Sequence, residues 1–462
     1  MRSSDSSSGG VQGRSTRGDK RTQRDRIVSS AIANVGKRGY SGTSVSRIIA
    51  EAGVSRPTFY EYFSDKEDCF LASLRAIQER LESGVRRSIQ EAPPQHAVRT
   101  TLAAIVEFAG AHPAEALLLT SQAMGAGRSA LDARDAGIVE LEHLIEAAHA
   151  CVPPTATIPD LCPQIAIGAL YRLLAPRLRR GEPGLNRTID DLAAWTECYG
   201  CAAAQRRWHR FIPTGDATGR PPSASGTTST PMPQLRSSRS LSREERTANR
   251  RLRILYAAAQ LAEQKGYNAT TIADITRLAG VDGRTFYDAF ADKQDAFMAV
   301  HELGVQQVMS ATAGAFFTGT SWPDRMWAAG SAFTGFLESN PMIAHVGFVE
   351  TYAVGPGAVQ RVEDSHVTFT IFLQEGYQQD RARRPPRLAL EAIVTSVFEL
   401  IYRDARNSSQ PRVSGMLGAM LFLTLAPFLG SQEANRVIDS KRAGDCRQVA
   451  PPRDARTSAG SG

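Results

Sequence analysis

Apolar residues recur at i, i+3 and i+4 along almost the whole chain, and almost no stretch alternates apolar with polar positions in a β-branched run. That periodicity predicts an all-α fold. The first clear stripe, Ile27, Val28, Ala31, Ile32 and Val35, predicts a helix over about residues 22–37, with Gly39 suited to a left-handed C-cap. A second stripe follows at Val45, Ile48, Ile49 and Ala52, and Thr43 or Ser44 stands where a hydroxyl caps the free N–H groups of a helix start. Gly53 and Val54 then mark a tight turn. Ser55 caps a third helix that accepts Pro57 in its first turn and points Phe59 and Phe63 inward. Two short helices joined by a glycine-containing turn make a helix-turn-helix. Farther on, the apolar run from Gly415 to Gly430 contains Pro427 and falls short of the roughly 20 residues of a membrane span, so it predicts a buried helix.

The same pattern occurs twice. GYSGTSVSRIIAEAGVSRPTFYEYFSDKEDCF from Gly39 aligns without gaps to GYNATTIADITRLAGVDGRTFYDAFADKQDAF from Gly266, with 15 of 32 positions identical. Upstream, Ile27, Val28, Ala31 and Val35 match Ile254, Leu255, Ala258 and Ala262; downstream, the segment around Pro113 resembles that around Pro341. Whole domains are therefore duplicated. Prolines 93, 113, 153, 159, 213, 323, 341, 385 and 411 fall near expected helix ends and predict about nine helices per copy. Pro176 and Pro427 read as kinks or late breaks.

Composition refines this outline. Of 462 residues, 42% are hydrophobic and 22% charged, values of a folded globular chain. Segment 213–243, rich in Pro, Gly, Ser and Thr, buries too little to order itself and reads as a flexible linker, and the termini read alike. The expected layout is a tail 1–21, first head 22–68, first helical body 69–212, linker 213–243, second head 244–295, second body 296–442 and tail 443–462. Net charge is +7, which permits a nucleic-acid partner. Six cysteines in so long a chain are no disulfide framework, and residues 1–21 lack the apolar region of a secretory signal. A cytoplasmic protein with free thiols and no membrane contact is the expectation.

The string Thr-x-x-x-x-Ile-x-x-x-Ala-Gly-Val-Ser-x-x-Thr-Phe-Tyr-x-x-Phe-x-x-Lys, ending at Lys66, resembles the DNA-binding head of the tetracycline-repressor (TetR/AcrR) family, and the second copy matches it through Lys293. The resemblance implies a larger helical regulatory domain behind each head, ending in a dimer-forming helix. It also implies a double-stranded DNA operator as partner. In the first copy the implied contacts are Thr43 and Ser44, Ser55, Arg56, Pro57 and Thr58, with Tyr60, Tyr62 and Lys66 on phosphates. The second copy offers Thr270, Thr271, Gly283, Arg284, Thr285, Tyr287 and Lys293. The physics agrees with the base-reading role, because arginine pairs bidentately with guanine in the major groove. Arg56 and Arg284 differ by one position within the repeat, so the heads should prefer different half-sites. Ala289 replaces Tyr62 and Asp282 replaces Ser55, which costs the second head a phosphate donor and adds a carboxylate near DNA.

Basic residues precede each head: Arg14, Arg17, Lys20, Arg21, Arg24 and Arg26, then Arg236, Arg239, Arg243, Arg246, Arg250, Arg251 and Arg253. They form either arms for the minor groove and phosphates or plain solvated faces. Cys198 and Cys201 make a Cys-x-x-Cys inside a helical pattern without a second pair at ligand spacing, and read as structural thiols. No nucleotide-binding loop, zinc-protease helix or nucleophile elbow occurs, so no enzyme, cofactor or metal is expected. Phe108, Met124 and Tyr171, or Trp327, Phe333, Phe336, Phe348, Tyr352, Phe369 and Phe372, are either plain core or the lining of an effector pocket.

Together these features predict a bacterial, nucleoid-associated regulator: a ligand-responsive repressor reading two half-sites with two unlike heads. The alternative is an interaction protein that titrates partner regulators through its dimer helices without binding DNA. A linker of about 31 residues spans roughly 30 Å when relaxed, which favours an intramolecular pseudo-dimer over a homodimer. The segments 190–204 and 413–429 are the expected dimer helices.

Overall fold

The computed structural model describes residues 17–210, 242–379, 383–407 and 413–449. The described chain is helical, apart from one antiparallel ribbon pairing β1 (Thr157–Pro159) with β2 (Gly200–Ala202), with Ile158 opposite Cys201. The first copy comprises α1 (Arg17–Gly42), α2 (Val45–Ala52), α3 (Arg56–Tyr62), α4 (Lys66–Glu91), α5 (Ala97–Ala111), α6 (Pro113–Leu117), α7 (Ala123–Gly125), α8 (Arg128–His149), α9 (Pro163–Arg179) and α10 (Thr188–Glu197). The second comprises α11 (Arg243–Ala269), α12 (Ile272–Ala279), α13 (Gly283–Ala289), α14 (Lys293–Phe316), α15 (Trp322–Ser339), α16 (Pro341–His345), α17 (Thr351–Val354), α18 (Pro356–Phe369), α19 (Ile371–Gln374), α20 (Leu388–Asn407), α21 (Leu417–Leu429) and α22 (Ser431–Val449). A π-helical turn links α6 to α7 (Leu118–Gln122) and another links α16 to α17 (Val346–Glu350).

Several boundaries move. α1 already begins at Arg17, inside the expected tail, and α22 carries the chain to Val449. Residues 211–241 of the linker region lie outside the described residues, whereas Ser242 caps α11 in a reciprocal box with Glu245. No joint separates head from body at 68 or 295, because α4 and α14 run through those positions. Gly39 is a kink within α1 at φ 72° and ψ 166° rather than a left-handed cap. Pro176 and Pro427 are accommodated inside α9 and α21.

The two copies share one apolar core. Leu170 and Leu174 of α9 pack in a cluster with Ile393 and Ile401 of α20, all of them essentially inaccessible. α10 lies against α20 beside this seam. The Tyr199 hydroxyl donates to the Leu423 carbonyl at 2.9 Å, and the Trp208 indole donates to Asn435 at 2.9 Å while stacking on Phe422. The largest contact thus falls on α9 and α20 rather than on segments 190–204 and 413–429, which flank it. Periodicity could not rank these helices, since each is apolar on several faces.

Candidate nucleic-acid interface

Each head is built around an apolar plug. In the first, Ile27, Ala31, Ile48, Ala52, Phe59 and Phe63 are buried together. In the second, Ile254, Ala258, Ile275, Ala279, Phe286 and Phe290 do the same. The turn between the second and third helices needs a left-handed residue, supplied by Gly53 and Gly280 at φ 61° in both copies. A side chain there would incur roughly 1 kcal/mol of strain. The turn is clamped from behind: Arg26 donates from Nε to the Ala52 carbonyl at 3.0 Å and from Nη2 to the Gly53 carbonyl at 2.8 Å. Ser30 adds a bond from its hydroxyl to the Ile48 carbonyl at 2.8 Å.

α3 and α13 are held by their first residues. The Ser55 hydroxyl accepts the Thr58 N–H at 3.2 Å, and the Asp282 carboxylate accepts the Thr285 N–H at 2.7 Å. With Phe59 and Phe286 turned fully inward, the opposite face presents Arg56, Pro57 and Tyr60 in one head and Gly283, Arg284 and Tyr287 in the other. Tyr60 is 49% exposed and Tyr287 60%, each edge-on to the buried phenylalanine before it. The Thr285 N–H bond holds the Asp282 carboxyl below the usual carboxylate range, so the group is anionic. Thr271 and Asp274 form a reciprocal cap on α12, and Lys265, Thr271 and their bonds hold Asp274 well below that range too. Ser44 is exposed at the matching place on α2 but makes no side-chain cap.

Other expected contacts change role. Thr43 and Thr270 are buried, their hydroxyls donating to the Gly39 and Gly266 carbonyls at 2.9 and 2.8 Å, so they brace the kink after helix one. The Lys66 ammonium is held from within the head: it donates to the Tyr40 carbonyl at 3.1 Å and lies 4.1 Å from the Tyr40 ring centre. Lys293 repeats this with the Tyr267 and Thr270 carbonyls at 2.9 and 3.0 Å and the Tyr267 ring at 4.0 Å. Burial lowers both lysines below the ordinary amine range. The Tyr62 hydroxyl donates to Gln23 at 3.3 Å. Among the basic residues ahead of the heads, Arg26 serves the turn, and Arg251 donates to the Ala289 carbonyl at 3.0 Å over the Phe290 ring. Arg14, Arg236 and Arg239 lie outside the described residues.

Sequence reading missed the struts that tie head to body. The Tyr40 N–H donates to the Gln122 side chain at 2.9 Å, and the Tyr267 N–H donates to Glu350 at 2.7 Å. Both acceptors end the π-helical turns. The signal was available, since extending the repeat past Pro113 and Pro341 aligns Gln122 with Glu350.

Behind the second head lies an apolar cavity of about 80 Å³ between α15, α18, α20 and α21, lined by Phe333, Phe369, Phe372 and Ile393 among others. A neighbouring hollow of about 40 Å³ shares Phe333 and Phe369 and adds Phe336, Phe348 and His301. Burial pushes His301 down to about 4, so it sits there neutral. Tyr352 instead packs beside Arg172, and Tyr171 lies beneath Arg134. Cys201 occupies the ribbon strand rather than a helix; burial raises its thiol to about 11 and also raises that of Cys198, which leaves both protonated near neutrality.

A family model described as bacterial regulatory proteins, TetR family, matches residues 27–73 and again 254–300. The chain is 33% identical over 92 residues to the HTH-type transcriptional regulator EthR of Mycolicibacterium smegmatis, covering 20% of this chain and 42% of that one. It is 27% identical over 156 residues to the transcriptional activator FasR of the same organism, covering 34% and 60% respectively. The chain therefore spans about half the length of these relatives. A solved TetR-family regulatory protein from Rhodococcus RHA1 superposes with a TM-score of 0.33 at 20% identity, covering 39% of this chain and 97% of that chain. The TetR-family regulatory-protein domain is thus present in each of the two heads, and the chain carries two tandem all-α units, each opening on a head of that kind.

Proposed function

We propose that the protein binds duplex DNA through both heads and represses transcription, reading an imperfect palindrome whose two half-sites differ. The observation that carries this reading is the pair of exposed recognition faces, Arg56 with Tyr60 and Arg284 with Tyr287, each on a helix fixed by a buried phenylalanine and a capped first turn. Arginine at the start of such a helix meets guanine edges, while tyrosine hydroxyls and free helix-start N–H groups meet phosphates. In this reading the protein is cytoplasmic, and DNA-bound molecules associate with the nucleoid.

The effector in this reading is an apolar or amphipathic small molecule held in the second body. Drug-sized ligands need about 300 Å³ or more, so its entry spreads α15, α18 and α20. Phe348, in the π-helical turn, lines the hollow, and Glu350, at the end of that turn, holds the Tyr267 N–H. An effector that binds the spread form more tightly therefore shifts the second head relative to its body. Selection of bound sites from random DNA, followed by anisotropy titrations across salt concentrations, tests the reading. The expected result is an asymmetric two-half-site consensus with affinity falling steeply as salt rises. Absence of any selected sequence, with no salt dependence, would leave the partner-titrating alternative.

A further inference from the structure

The seam between the halves contains a mismatch in the repeat that the DNA-binding role does not use. Tyr171-Arg172 of α9 and Tyr402-Arg403 of α20 occupy the same place in the two copies, 231 residues apart, and this register makes Gly168 the counterpart of Glu399. The counterparts also meet in space, because a Cβ built on Gly168 would run into the Glu399 carboxyl group. Glu399 is fully buried. The two equivalent arginines divide its oxygens: Arg172 donates from Nε to Oε2 at 3.0 Å, and Arg403 from Nε to Oε1 at 3.1 Å. Arg134 of α8 adds a third guanidinium at 3.4 Å. Burial alone would raise this carboxyl, yet Arg134, Arg172 and Arg403 hold it down at about 2.

We propose that Gly168 and Glu399 are a specificity pair that lets the first half associate with the second and prevents either half from pairing with its own kind, so that each chain closes on itself. One carboxylate between two equivalent arginines satisfies the seam once. Two second halves would set Glu399 against a second Glu399, both desolvated and with no glycine hollow to receive either. Two first halves would set Gly168 against Gly168, leaving a void and two Arg172 guanidiniums with no carboxylate between them. Uncompensated buried charge is among the strongest penalties an interface carries, and repulsion of wrong partners is how related surfaces are kept apart. The pairing does not depend on the heads binding DNA, and its test is read from assembly.

The test exchanges the pair in the full chain. Gly168→Glu and Glu399→Gly are made singly and together, and mass by light scattering is followed with the melting temperature. Wild type and the double exchange are expected at about the chain mass of 50.0 kDa, because the exchange again leaves one carboxylate and one hollow. Each single variant is expected to melt roughly 5 °C lower and to lose the closed form. An equimolar mixture of the two single variants is expected to assemble at twice the chain mass, since each half then finds its complement on the other chain. Three results would each overturn the proposal: a double exchange no more stable than Gly168→Glu alone, single variants that behave as wild type, or a wild-type chain that is stably two-chain at nanomolar concentration.

Discussion

The two heads share a scaffold and differ in what they show to the outside and in how they join the rest of the chain. Both use a glycine at φ 61° in the turn, a phenylalanine pair for the plug, and a lysine lying on the tyrosine of the first helix. In the first head the plug runs from Ile27 to Cys69, while Val35 of the same first helix belongs to the core of the body. In the second it runs on into the body through Met342, Val346, Val354 and Ala358. The caps differ as well, a Ser55 hydroxyl in one and an Asp282 carboxylate in the other, and the exposed arginine sits one position later in the second recognition helix. Duplication has thus kept the parts that shape the motif and the strut from each head to its body, while the outward residues and the extent of the apolar plug have diverged.

Truncating the plugs should expose that contrast most strongly. Phe59→Ala and Phe286→Ala should each cost about 3 to 5 kcal/mol. Hydrogen exchange should show loosening confined to the first head for Phe59→Ala, and spreading to 342–358 for Phe286→Ala. Equal spread in both would break the distinction. At the surface, Arg56→Ala and Arg284→Ala should each relax preference at a different base pair, with a discrimination loss of about 1 to 3 kcal/mol. Binding assays over single-base variants of the selected site decide this, and uniform weakening on every sequence would remove the base-reading role.

A smaller effect is expected from exchanging the caps. Asp282→Ser keeps a capping oxygen but removes a carboxylate from the recognition end, and should tighten the second head's binding about two- to fivefold at low salt. Ser55→Asp should weaken the first head by a similar factor. The smallest effect is a pH difference. Asp274 and Asp282 have folded pKa values depressed by their bonds to Lys265, Thr271 and Thr285. Their stabilisation is complete above the unfolded value of about 3.9 and is lost as pH falls below it. Amide exchange at Thr285 should therefore accelerate below about pH 4 more than at Thr58, whose cap is an uncharged hydroxyl. Parallel acceleration at both would contradict the assignment.

The heads were largely legible beforehand because their rules are local. A stripe at helical spacing, a glycine between two short helices and a capping hydroxyl each act within a few residues, so α2, α3 and the inward turn of Phe59 and Phe63 followed from the string itself. The Lys66 bond was not legible for the opposite reason: its partner is the Tyr40 carbonyl, and no local pattern says which backbone oxygen a lysine will reach. The sequence left Thr43 and Ser44 open as the start of the second helix, because a hydroxyl before a helix serves as a cap or as a buried brace depending on the kink behind it.

By itself, then, the sequence determined that the protein is helical and duplicated, and that its two recognition helices differ at the arginine. Those properties depend on periodicity and on comparing the chain with itself. Only the tertiary structure decided that α9 and α20 form the seam, that Gln122 and Glu350 hold the heads, and that Glu399 enters the hollow at Gly168. A buried charge between arginines from both halves is stable only where distant segments converge, and that convergence is set by the packing of whole helices rather than by any stretch of chain.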